Sequence, residues 1–217
     1  MRAAPRVRAL KPRVLALLSS GALATALLPS ALRAPAAEKA DPARAEGLAA
    51  FDTVAKVLQH PRCRNCHIPG DAPLQFDAGL PHTQNVVRGP GGYGAPGLPC
   101  TTCHGAANPP ASYGPHTPPG APGWELPPPG LEMVFIGLSN GELCERLKDK
   151  SRNGGRDLAA LAHHIDDKIV RWGWDPGVGR APVPVPYEEF VAKFKTWAAA
   201  GGPCPAVVKG KTASLAP

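Results

Sequence analysis

At 217 residues the chain has room for one domain and a targeting segment, while 28 prolines, 24 glycines and 6% aromatics leave little bulk for a conventional core. Its formal charge of +7 does not mark a nucleic-acid binder. Six basic residues and no acid lie in 1–36, and beyond them 18 basic residues face 17 acidic ones, so no nucleic acid is expected as a partner.

Residues 1–36 read as a secretory signal: a basic stretch from Arg2 to Arg13, an apolar run from Val14 to Leu28, then small residues ending in Ala34-Pro35-Ala36. The apolar run, about 15 residues, is shorter than the roughly 20 that a membrane-spanning helix needs. A periplasmic protein is expected after cleavage, with no stable membrane insertion, a folded domain over 37–205 and a flexible tail over 206–217.

Apolar residues at helical spacing (Leu48, Phe51, Val54, Ala55, Leu58) predict a helix over 45–59, ended by Pro61. It delivers the chain to Cys63-Arg64-Asn65-Cys66-His67, a pattern repeated at Cys100-Thr101-Thr102-Cys103-His104. C-x-x-C-H is the attachment signature of c-type haem. The two thiols add to the haem vinyl groups, and the histidine is held where its imidazole can bind iron. Two covalent haems are therefore expected, on Cys63, Cys66, Cys100 and Cys103, with His67 and His104 as proximal ligands. Two porphyrins would also supply apolar mass that the composition lacks.

Residues 68–99 read as largely irregular. Gly89-Pro90-Gly91-Gly92-Tyr93-Gly94 fits a dinucleotide fingerprint in letters only, because no helix can follow it. The proline clusters between Asn108 and Gly130 predict polyproline II and turns that wrap the haem edges. Ser139-Asn140-Gly141-Glu142 is a capping box opening a short helix. A second helix is marked by Asp157, Leu158, Leu161 and Ile165, and a third by Phe190, Phe194 and Trp197. The expected fold is mainly α, with extensive Pro/Gly-rich loops around two haems.

Six cysteines less four leaves Cys144 and Cys204, and an oxidising compartment favours their pairing. The closed loop would contribute about 3–4 kcal/mol.

The sixth iron ligands are sought among His82, His60, His163 and Met133, favoured in that order. His82 follows His67 on a stretch long enough to cross a haem edge. His60 is anchored at the edge of its own haem and suits the neighbouring ring better. His163 and His164 point to different faces of one helix, so at most one serves a given iron, and Met133 follows a proline-rich loop. His116 reads as exposed. Two histidines would favour a low potential, and His/Met a higher one.

The strings His60-Pro61-Arg62-Cys63-Arg64-Asn65-Cys66-His67, Val87-Arg88-Gly89, Asn153-Gly154-Gly155-Arg156 and Trp172-Gly173-Trp174 resemble small exported bacterial dihaem cytochromes, proteins labelled as a subunit of an isoquinoline 1-oxidoreductase. The resemblance implies a redox partner protein, a molybdenum hydroxylase or another periplasmic dehydrogenase. The expected activity is electron transfer rather than catalysis. The alternative is a dihaem enzyme such as a peroxidase, with one open iron and Glu125, Glu132 or His116 beside it. Zinc on the paired thiols is a further rival.

Overall fold

The computed structural model describes residues 41–207. The expected signal segment, and the tail beyond residue 207, lie outside them. The chain folds on α1, Pro42–Leu58, which starts earlier than its apolar periodicity indicates. Asp41 accepts a hydrogen bond from the Ala43 N–H at 3.0 Å, and Pro42 takes the first helical turn, where its missing N–H costs nothing. Phe51, Val54, Ala55 and Leu58 are buried as their spacing predicts.

The helix stops at Leu58, before Pro61, which opens a second short helix, α2, Pro61–Arg64. His60 is extended, as a residue preceding proline must be. The first C-x-x-C-H motif therefore lies on and just after a helical turn instead of in a loop.

Residues 68–99 hold two small antiparallel hairpins that periodicity could not show. Leu74–Gln75 (β1) pairs with Leu80–Pro81 (β2), and Gly94–Ala95 (β3) pairs with Leu98–Pro99 (β4). The glycine run is a loop from Gly89 to Tyr93, as read, and Gly94 opens β3. Gly89 has φ +72°, and a Cβ there would lie 1.9 Å from the Gly94 carbonyl oxygen, so only glycine fits.

The capping box is present: Ser139 and Glu142 cap α3, Asn140–Lys148. Asp157 caps α4, Leu158–His164, with its carboxylate accepting from the Ala160 N–H at 2.8 Å. A short helix with no sequence signal, α5 (Lys168–Arg171), follows, and the Trp172-Gly173-Trp174 string turns the chain as a 3₁₀ turn. The last helix, α6, spans Tyr187–Ala199.

α6 packs along α1, and α3 and α4 close the layer. The core comprises Phe51, Val54, Leu143, Leu147, Leu161 and the α6 aromatics Phe190, Phe194 and Trp197. Trp197 meets Phe51 at 5.1 Å between ring centres, and its indole N–H donates to the Pro203 carbonyl at 3.1 Å. Gly47 permits this approach, because a Cβ there would lie 2.7 Å from both Ala200 and Pro203. The fold is helical with a few short strands. No helix among the described residues is long and apolar enough to cross a membrane.

Cys144 and Cys204 are bridged, with Cα atoms 5.4 Å apart and a sequence separation of 60. The bridge ties the chain after α6 to α3. Replacing both cysteines with alanine is expected to cost about 4 kcal/mol, chiefly by freeing a long loop in the unfolded chain. Urea denaturation of the two proteins would measure the loss; a midpoint that did not move would contradict it.

Candidate cofactor cavities

Two cavities, of about 510 and 310 Å³, open on the face of the helical core that carries the C-x-x-C-H motifs. Both volumes fall in the ~300–1,000 Å³ range of ligand and cofactor sites. The smaller is lined by the first motif's Cys63, Cys66 and His67, and by core side chains including Phe135, Leu161, Phe190 and Phe194. The larger is lined by the second motif's Cys100, Cys103 and His104, with His82 and His116. Arg62, Cys66, Trp124, Glu125 and Trp172 line both, so the cavities share a wall. Trp124 and Trp172 meet edge to face in it, ring centres 5.0 Å apart.

Each motif histidine is fixed the same way. His67 Nδ1 lies 2.9 Å from the Met133 carbonyl oxygen, and His104 Nδ1 lies 2.7 Å from that of Pro119. A carbonyl oxygen only accepts, so Nδ1 carries the proton in both rings and Nε2 keeps its lone pair. That is the tautomer a metal ligand needs, oriented through its second nitrogen. Phe135 stacks on His67 at 4.0 Å and Trp124 stacks on His104 at 4.2 Å, which fixes the ring planes. Burial pushes the pKa of His67 down to about 4 and lowers that of His104, keeping both neutral.

The thiols match this environment. Cys63, Cys66, Cys100 and Cys103 are all free while Cys144 and Cys204 are bridged. Burial pushes Cys63 up to about 12 and Cys66 up to about 11, and it raises Cys100 as well, so these are protonated thiols in apolar surroundings. Among the described residues no group of three or more His, Cys, Asp or Glu side chains is placed to hold a metal ion. The four thiols thus do not converge as a tetrahedral zinc site requires.

The remaining candidates separate by position. His82 and His104 both line the larger cavity, with ring centres 6.2 Å apart and planes inclined at 66°. Two imidazoles facing one metal ion across bonds of about 2 Å have centres roughly 6 Å apart. His82 Nδ1 lies 2.9 Å from the Thr83 carbonyl oxygen, so it has the same tautomer as the motif histidines.

His60, ranked second as a ligand by its position in sequence, lines neither cavity. Its Nδ1 accepts from the Arg62 N–H at 3.3 Å, capping α2. The neutral ring's proton therefore sits on Nε2, leaving that nitrogen without a lone pair to offer. Met133 lines the smaller cavity, but its carbonyl holds His67, which puts its backbone on the His67 side. His163 is exposed, whereas His164, which sequence position did not favour, lines the smaller cavity. The helical phase of α4 separates the two, and a seven-residue helix is too short for that phase to be read from periodicity. His116 is exposed and lines the mouth of the larger cavity, edge-on to Phe76 at 5.0 Å.

Of the acids considered for catalysis, Glu132 accepts from the Gly130 N–H at 2.8 Å, and this bond holds its carboxyl below the usual range. Glu125 is exposed at the wall between the cavities. Sequence reasoning passed over Arg62. It is 7% exposed, paired with Asp77, and sits over the Trp172 ring at 5.7 Å. Its Nε is buried without a hydrogen-bond partner, an orphan donor beside both cavities that an anionic haem propionate would suit. Comparison of the chain with protein-family models, with curated proteins and with solved structures found no match.

Proposed function

We propose that the protein is an exported electron carrier holding two covalent c-type haems, one in each cavity. The observation that carries the reading is the paired arrangement of the motif histidines. Each lies in a cavity with its own two thiols and gives Nδ1–H to a backbone carbonyl, leaving Nε2 for iron. Cys63 and Cys66 would anchor one porphyrin and Cys100 and Cys103 the other, with His67 and His104 beneath them. Bound haem supplies one-electron chemistry at iron.

This chain's own residues position, bury and couple. The smaller cavity is lined in part by core side chains, among them Leu58 of α1, Leu161 of α4 and Phe190 and Phe194 of α6. The larger is walled mostly by loops, including the exposed residues Thr83, Gln84 and Pro118, so it is the side on which a redox partner would dock. Such docking surfaces are small and transient. Trp124 and Trp172, in the shared wall, lie between the two sites. The resemblance of the motifs points to a molybdenum hydroxylase or another periplasmic dehydrogenase as the donor.

A potentiometric titration followed in the visible spectrum tests the carrier reading. Two one-electron steps are expected, with no turnover of hydrogen peroxide. Peroxide turnover at one haem would make the protein an enzyme and overturn the reading.

A further inference from the structure

We propose that His164 is the sixth ligand of the iron held at Cys63, Cys66 and His67, and that Asp167 is its positioning residue. The inference rests on the dihaem reading and assigns to the first haem the ligand that sequence position left open. Besides the motif itself, the smaller cavity offers three side chains that bind iron in proteins, Met133, His164 and Glu125, the last an exposed carboxylate at the wall shared with the larger cavity. The Met133 carbonyl already holds His67 Nδ1, which commits that segment to the proximal side.

His164 enters from another element, as the last residue of α4. Its Nδ1 lies 2.6 Å from Asp167 Oδ2. A carboxylate only accepts, so the proton is on Nδ1 and Nε2 has the lone pair. The pair is set by the backbone, because Asp167 is the extended residue that ends the turn after α4 and precedes α5. The neighbouring Asp166 is engaged by the Tyr187 hydroxyl, and His163 is exposed.

The larger cavity repeats the arrangement with other atoms: His104 is held by Pro119 and His82 by Thr83, both through Nδ1 to a carbonyl. Each cavity thus holds two imidazoles with Nδ1 hydrogen-bonded to an oxygen, and the larger has the exposed His116 besides. Both irons would be bis-histidine coordinated. Only the His164 ring is held by a carboxylate, which makes it the more basic ligand.

The test is low-temperature EPR and visible spectroscopy of the ferric, haem-loaded protein, with haem counted separately by mass. In His164→Ala, two haems remain attached and one of the two becomes high-spin, and added imidazole returns it to low spin. Met133→Ala and His163→Ala keep both haems low-spin. In Asp167→Asn both stay low-spin, but the midpoint potential of one haem rises, a change that a merely structural ion pair would not produce. If His164→Ala fails to mature, His164→Met serves: it keeps a ligand and raises one midpoint while leaving the other unchanged. Two low-spin haems with wild-type spectra in His164→Ala, unchanged potentials in His164→Met, or loss of low spin in Met133→Ala would overturn the assignment. An unchanged potential in Asp167→Asn would remove Asp167 from it. A wild-type protein without two haems would refute the dihaem reading instead, and the haem count tells these failures apart.

Discussion

Replacing Arg88 with methionine is expected to lower the stability of the haem-loaded protein by about 3–5 kcal/mol. Arg88 is completely buried in a loop. Its guanidinium donates to the carbonyls of Pro127, Gly70 (2.8 Å) and Ile68 (3.3 Å). Its backbone N–H donates to the Asp71 carbonyl at 2.8 Å. One side chain thereby joins the segment leaving His67 to the proline-rich segment that walls the smaller cavity. These segments have no regular ladder of their own, so the guanidinium supplies the cross-links that a sheet would otherwise give. A hydrogen bond from a charged donor contributes about 1.5–3 kcal/mol, and its loss leaves buried acceptors unpaired. Methionine restores packing but none of the donors, which is why the expected loss is less than three such bonds. Lysine should not rescue it, since a single ammonium cannot span three carbonyls fanned around a planar fork. Urea unfolding of wild type, Arg88→Met and Arg88→Lys would measure this. A loss under about 1 kcal/mol would refute the cross-link role.

The two haem motifs are expected to differ in what their loss does to the fold. In Cys63→Ala with Cys66→Ala, the first haem cannot attach, and the smaller cavity is walled by Phe190, Phe194, Leu161 and Leu147 of the core. Without the porphyrin these apolar side chains face an open space of about 310 Å³; burying each contributes about 1.5–3 kcal/mol, so leaving them uncovered would remove a large part of a domain's stability. Helices collapsing onto the space would relieve part of that, at the expense of native packing. The variant should lose cooperative unfolding and much of its near-ultraviolet circular dichroism. In Cys100→Ala with Cys103→Ala, the larger cavity is bounded by loops and exposed residues, so the helical core should persist with one haem attached. Equal losses of cooperativity in the two double variants would contradict this asymmetry.

The parts of the fold legible in the sequence are those set by short-range chemistry. The Ser139–Glu142 capping box, the Asp157 cap, the apolar stripe of α1 and the aromatic spacing of α6 each depend on residues within two turns of one another. The Cys144–Cys204 bridge was legible for a different reason: it was what remained after the motif cysteines were set aside.

What was not legible depends on partners far along the chain. Nothing near Arg88 announces that it reaches Pro127, and nothing near His67 announces the Met133 carbonyl. The same limit governed the ligand candidates. His60 stands beside the motif, yet it is used as a helix cap. His164 was not separable from His163 until α4 had a phase relative to the cavity. Of the α6 aromatics, all three are in the core, and Phe190 and Phe194 also line a cavity while Trp197 packs on Phe51.

The central claim is two covalent haems per chain, and intact-mass measurement of the purified, exported and denatured protein tests it most directly. The expected mass is that of the chain without its signal segment, with the Cys144–Cys204 bridge intact and two haem groups retained through denaturation. Each double cysteine variant should retain one. A wild-type chain carrying no covalent haem, whether as free thiols or as disulfides among Cys63, Cys66, Cys100 and Cys103, would contradict it.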